Sequence, residues 1–510
     1  MLIKYLLPAL AAVLALEAAQ PVLAQKSEDT LRFPVRRSEH TLDPYLNPGV
    51  FDNVWEPALY DTLLAFDPKK GAFAPSLAKA WSQPTPTTYD FELRDDVKWH
   101  DGQAFDADDV VYMINYLIDP KVSLRYKANW AWIDKIEKLG SHKVRLTAKT
   151  PVPYGLMWMS SSTYIYPEHK HAPLANKEDF GTAPVGTGPY RMTKFDKNGG
   201  LEAVKNENFK PTAVKYAASI GKVVAESIPD TGTLVAALLI GKANMALNLP
   251  ADQALDLQKS GKFQVTMSPP GLEYTFYGIP TAGWASNKAL ADVRVRQAIA
   301  RAVNRQALID VQFGEMSKGV QPHPALCAKE QLGCGYTKTN PPYDPAGAKK
   351  LLAEAGYPDG FDVTVSTTPN RITEATAFAG MLRAVGIRAQ VTTHTTPQRV
   401  KMIQDGRVQI GYYGWSGGAI FEVTPPIARH MQSGEYDDNA LVSMVANHDK
   451  IMDDAERRRT VAKAFDYINE QGYAMPMLPS MATFTHTPDI RMKEVGVRET
   501  LVNPQDFEWK

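Results

Sequence analysis

The sequence predicts an α/β protein made of more than one domain. Strand-like and helix-like patterns alternate between residues 343 and 413, which argues for parallel βαβ units. The chain has 510 residues, more than one ordinary core supports, so two or three domains are expected. A strand pattern, a turn and a capped helix pattern also follow one another from Tyr89 to Pro120.

Taken in order, the chain begins with a positive residue, Lys4, and a largely apolar run from Tyr5 to Leu16. Val22-Leu23-Ala24 supplies small residues at a cleavage position, so residues 1–24 read as a signal peptide and the mature chain is expected to start near Gln25. The run is short for a membrane span, and no cysteine stands at the cleavage point to take a lipid. Asn47-Pro48-Gly49 breaks the chain before the segment from Val50 to Leu64, which ends in an apolar run, and Asp67-Pro68 follows it.

Tyr89, Phe91 and Leu93 alternate with Asp90, Glu92 and Arg94, the period of a strand with one buried face. Asp95-Asp96 and His100-Asp101-Gly102 turn the chain, with Gly102 free to take positive φ. Asp106 is a good N-cap for a helix whose apolar stripe is Val110, Val111, Ile114 and Leu117, and Asp119-Pro120 stops it. His100 and Asp101 resemble a general base and its orienter, but the turn accounts for both. The stretch LRDDVKWHDGQAFDADDVVYMINYL resembles the signature of the peptide/nickel-type extracytoplasmic solute-binding proteins of ABC importers, family 5.

Further matches extend that resemblance from about residue 40 to the end. Val185-Gly186-Thr187-Gly188-Pro189-Tyr190 is similar to the family's return from an insert, and with no K-[ST] it is not a phosphate loop. Thr233 to Ile240 is helical with Gly241 as its C′ residue. Asn244 stands where the family carries an acid, a departure expected to touch only a turn. Arg294 to Val303 follows the family's arginine-containing helix, with Arg294, Arg296, Arg301 and Arg305 read as its solvated or salt-bridged side. Asp344-Pro345 caps a helix ended by Gly356, strands follow at 361–365, 387–391 and 408–413, and helices lie at 374–385 and 396–404 between them. Asp454 to Glu470 reads as a long helix ended by Gly472, and residues 474–479 return toward the first lobe.

The resemblance implies a two-lobed periplasmic-binding-protein fold of the type II, large cluster C kind. Residues 25–57, 182–270 and 478–510 would form the first lobe, 58–181 an inserted subdomain and 271–477 the second lobe. It implies a binding component of an ABC import system that captures a peptide-like solute between the lobes and hands it to membrane permease subunits. An opine, an oligosaccharide or a metal chelate or haem is the alternative cargo. A monomer in the periplasm is expected, without cofactor.

Composition agrees with that class. Lys+Arg and Asp+Glu both number 56, so nothing favours nucleic acid. No H-E-x-x-H pattern supports a metal-dependent hydrolase. His169 and His171 sit in a loop pattern and read as solvated, and Trp130, Trp132 and Trp158 read as core before ligand plates. Cys327 and Cys334, the two cysteines, are expected to pair in an oxidising compartment, closing a short loop worth roughly 2–3 kcal/mol. A metal site there would lack an adjacent histidine.

Ligands of open α/β sheets lie beyond the carboxyl ends of the strands. Two such ends lead into Ser366 to Arg371, with Asn370 and Arg371, and into Trp415-Ser416-Gly417-Gly418. Trp415 offers a stacking plate, and the glycines let a ligand approach the backbone. Peptide-binding members commonly carry an aspartate where this chain has Gly418, so that ammonium contact does not carry over. Glu422 and Arg429 are candidate charges nearby. Tyr274 and Phe276 on the crossing strand, and Asn53 with its neighbours at the first lobe's mouth, complete the candidate set by the same resemblance.

Overall fold

The computed structural model describes residues 26, 28–35, 41–46, 54–67, 70–125, 127–197, 200–268, 274–329, 331–415, 422–423, 436–479, 481–493 and 503–510. The expected signal peptide lies outside them. The segment 50–64 resembles the family's early helix, but only Glu56–Leu59 is helix; Tyr60 is already extended, Leu64 begins the strand Leu64–Asp67, and residues 50–53 lie outside the described part.

Thr88–Leu93 is an inner strand of a four-stranded antiparallel sheet, between Ala78–Thr85 and Lys143–Ala148, with Ile133–Gly140 beyond. Tyr89, Phe91 and Leu93 are buried, as alternation requires. Asp90 is also buried and takes a bidentate pair from Arg145 at 2.6 and 2.7 Å. Asp106 caps helix Ala107–Ile118, its carboxylate accepting the Asp108 amide at 2.8 Å. Val110, Met113, Ile114 and Leu117 are buried on that helix.

Two family motifs are clasped by one histidine. The His100 amide donates to Gly186 O at 2.9 Å, and its Nδ1 accepts the Gly186 amide at 3.1 Å. Nε2 lies 3.1 Å from Gly188 O and donates to it, which fixes a neutral imidazole. Burial holds its pKa down at about 4. A Cβ at Gly186 would stand 1.9 Å from Leu59 O, so only glycine fits this approach. Asp101 turns away to His169 at 2.8 Å.

The N-terminal strand Thr30–Arg32 lies parallel to Lys222–Glu226, followed by antiparallel Gly200–Lys205 and Tyr190–Asp196. A three-stranded sheet places Thr483–His486 between Met245–Leu247 and Gln264–Met267. One hydrophobic cluster runs from Leu31 to Phe507 and takes in Phe91, Ile114 and Trp158, so these sheets share a core. Trp130 and Trp158 belong to it, and Trp132 packs on its margin.

The remaining large sheet has five strands: β1 (Tyr274–Gly278), β2 (Asp362–Thr367), β3 (Arg388–Thr393), β4 (Ile410–Trp415) and β5 (Ala474–Pro479), in the order β3-β2-β4-β1-β5. β2 is parallel to β3 and β4, joined through α1 (Ile372–Ala384) and α2 (Thr396–Gln404), as the alternating pattern predicted. Gly386 takes φ +100 after α1 and Gly472 φ +62 after the helix Asp454–Gln471. A separate cluster from Tyr277 to Leu478 forms the core under this sheet.

Three expectations change. Arg296 and Arg305 are buried staples rather than solvated charges. Arg296 donates to Leu290 O, Ala291 O and Gln471 O and lies 4.5 Å from the Trp284 ring, while Arg305 donates to Pro476 O and Pro341 O. His171 is fully buried, not solvated. The Tyr112 hydroxyl meets its Nδ1 at 2.5 Å, and Tyr116, Tyr166 and Phe180 surround the ring. Asn244 does more than shape a turn: its side chain accepts the Arg32 amide at 2.8 Å, tying that turn to the N-terminal strand.

Candidate functional site

β1 runs antiparallel to β4 and β5, so Tyr274 at its amino end lies beside Trp415 and Pro479, the last residues of those strands. β2 ends in the same direction, being parallel to β4. At this edge the chain passes to the other sheets. β1 follows Gln264–Met267 and β5 precedes Thr483–His486, which pair with each other. The edge that gathers the strand carboxyl ends is therefore the one facing the chain's crossings, where a solute between the lobes would meet this sheet.

Arg371 closes the short turn Pro369–Arg371 and stands at the N-cap of α1. Its side chain is 27% exposed, and its guanidinium lies 5.6 Å from the Tyr412 ring. Nη1 is 3.8 Å from Glu374 Oε2, beyond hydrogen-bond length. Glu374 is fully buried, and among the described residues neither of its oxygens has a hydrogen-bond partner. Burial pushes its pKa up to about 7, against the pull of Arg371.

The surroundings repeat this lack of partners. The Tyr277 hydroxyl is buried without one, while its ring stacks on Phe378 at 3.9 Å. Burial, then the Glu374 charge, raises its pKa. Among the described residues, the Ser366 and Thr367 hydroxyls at the end of β2 are buried and without a hydrogen-bond partner as well. From α2, Arg399 lies 5.4 Å over the Tyr413 ring. Buried polar groups normally find partners, so an arriving solute would find unfilled donors and acceptors here. The arrangement offers a part-exposed arginine side chain with its guanidinium over an aromatic plate, backed by a carboxyl able to take a proton.

Among the residues expected from the sequence, Trp415 ends β4 opposite Tyr274, and Asn370 lies in the turn beside Arg371. Phe276 is 2% exposed and stacks on Tyr413 at 5.2 Å, a core position. Glu422 is corrected: it is fully buried, and its partner is Arg457, with Nε 3.5 Å from Oε1. It sits against the Cys327–Cys334 disulfide loop, bridged to Leu332, and a Cβ at Gly333 would meet its Oε1 at 2.5 Å. Asn53, Ser416, Gly417, Gly418 and Arg429 lie outside the described residues.

Glu374, Tyr277 and Tyr412 were not singled out from the sequence as site residues. An acid in a helix's first turn is ordinary there. Its one unusual sign is that Arg371, three residues earlier, leaves the helix without a side-chain cap.

The profile described as "Bacterial extracellular solute-binding proteins, family 5 Middle" matches residues 72–438. The chain belongs to this family. Among its relatives, "Glutathione-binding protein GsiB" of Pectobacterium atrosepticum is 29% identical over 480 residues, covering 90% of this chain and 89% of that one. The protein of the same name from Escherichia coli is 26% identical over 474 residues, covering 88% and 89%. NikA from Brucella suis, solved with Fe(III)-EDTA, superposes with TM-score 0.82 at 21% identity, covering 94% of this chain and all of that one. The dipeptide binding protein from Pseudoalteromonas, solved with Met-Leu, gives 0.76 at 20% identity over 94% of this chain. These family 5 members share the two-lobed fold expected from the sequence.

Proposed function

We propose that the protein captures a short, anionic, peptide-like solute of the glutathione class outside the cytoplasm and delivers it to the membrane subunits of an ABC importer. The observation that carries this reading is Arg371, part-exposed over Tyr412 at the strand ends. A guanidinium there receives a carboxylate through charge-assisted hydrogen bonds. The two relatives named for glutathione support the solute class. Trp415 and the backbone of 416–418 would cover the solute's apolar face, and the missing aspartate at Gly418 leaves its amine to another acceptor. The same reading takes residues 1–24 as the export signal, 271–477 as one lobe closing on the rest, and a monomer as the working form.

Mass spectrometry of solute released from purified protein identifies the cargo. Calorimetry with glutathione, S-methylglutathione, Met-Leu, an opine and an oligosaccharide then ranks the classes. A tripeptide or dipeptide is expected to bind, and Arg371→Gln should weaken it by about thirtyfold, about 2 kcal/mol. Binding of the sugar alone, or an unchanged affinity in a folded Arg371→Gln variant, would overturn the reading.

A further inference from the structure

We propose that Glu374 is the positioning residue behind Arg371, releasing that guanidinium to an anionic group of the solute by taking up a proton. The inference rests on the solute class proposed above. Glu374 touches no solvent and so no solute, whereas Arg371 is part-exposed. The two stand 3.8 Å apart without a hydrogen bond between them. A purely structural ion pair would use the lone pairs of the carboxylate, yet among the described residues neither oxygen of Glu374 accepts a hydrogen bond.

The charged and titratable groups around Glu374 are few. Arg371 precedes it on α1, Tyr277 faces it from β1, and Tyr412 from β4 lies between Arg371 and Tyr277. The helix Arg305–Phe313 packs on α1 with two charged residues, Arg305 and Asp310. Arg305 is spent on the Pro476 and Pro341 carbonyls, and Asp310 accepts from Gln306. From β3, which also packs on α1, Arg388 is spent on Asp362 at 2.8 Å, so among the described residues Arg371 is the charge that acts on Glu374.

The exchange balances. Free protein holds an Arg371 cation beside a Glu374 carboxylate. When a solute carboxylate pairs with Arg371, it leaves Glu374 a buried anion without its counter-charge. Protonation from solvent, one proton per solute, removes that charge. Burial has already brought Glu374 to about 7, so the proton is available near neutrality. The sign follows: affinity is highest below the free protein's value and falls as pH rises through it.

S-methylglutathione, whose carboxylates stay ionised from pH 6 to 8, is the probe for calorimetry in buffers of differing ionisation heat. Wild-type affinity should drop about five- to tenfold from pH 6 to pH 8, with net proton uptake at the upper end. Glu374→Gln should bind with the acid-limb affinity at both pH values and take up no proton. A flat wild-type profile, or a slope that survives Glu374→Gln, overturns the proposal. A second measurement uses ligand-free protein and no variant: carbon-13 NMR of labelled glutamate should show a carboxyl titrating near pH 7, and absence of any such signal above pH 5 overturns the proposal. If S-methylglutathione fails to bind at any pH, the solute class is wrong, and that titration still decides the role of Glu374.

Discussion

Asp109 and Glu374 occupy the same helical position, the third residue of the first turn, and both are buried carboxyls. Their surroundings are opposite. Asp109 accepts from the Trp99 indole at 3.0 Å and from the amides of Asp106 at 3.2 Å and Glu168 at 2.9 Å. Glu374 accepts from nothing among the described residues. Asp109 ties a helix, a turn and the start of another helix into one core. Glu374 waits at the edge of a sheet where strand ends converge. The pair teaches that a buried charge by itself says little about function; whether its lone pairs are filled says more.

Emptying the filled site should give the largest effect. Asp109→Ala strands three donors, so stability should fall by about 3–5 kcal/mol, while binding in the fraction still folded stays unchanged. Urea titration followed by calorimetry checks both halves. A loss of affinity without a loss of stability would erase the contrast.

Acid should probe the same insert next. Burial holds the pKa of His171 at about 4, below the ordinary 6.5. Its neutral form is the folded one, so its contribution is whole above pH 6.5 and is lost as pH falls from there toward 4. That limb amounts to about 3 kcal/mol. His171→Gln should remove that share from denaturation midpoints measured from pH 7 to pH 4, while the share of His100, also held at about 4, remains.

At the other region, Trp415→Ala should cost roughly 2 kcal/mol of affinity, about thirtyfold, with a smaller change in melting temperature. If Trp415 is core, the melt drops more than the affinity. The smallest effect belongs to Ser366→Ala. Removing a buried hydroxyl that has no partner should leave stability level or raise it by up to about 1 kcal/mol, while solute binding weakens. A clear destabilisation would mean that this edge is built like the insert.

Much of the fold was legible in the sequence. The caps at Asp106 and Asp344, the glycines at 356, 386 and 472, and the alternation of strands and helices from 343 to 413 all act over a few residues. Local rules therefore place them, and strand ends drift by only one or two residues. The site was legible as a place: Arg371 and Trp415 follow strands whose order makes their ends neighbours.

What the sequence alone determined was the family, the elements and the edge where the strand carboxyl ends gather, because these depend on local propensity and on the period of apolar residues. The tertiary structure decided which charges are spent. Arg296 and Arg305 vanish into carbonyls 175 and 171 residues away, Glu422 pairs with Arg457, and His100 holds Gly186 and Gly188. Glu374, chemically no different from any first-turn acid, is left without a hydrogen bond among the described residues. Partnership of buried polar groups is a long-range property, set by which segments fold against each other, and no window of sequence contains it.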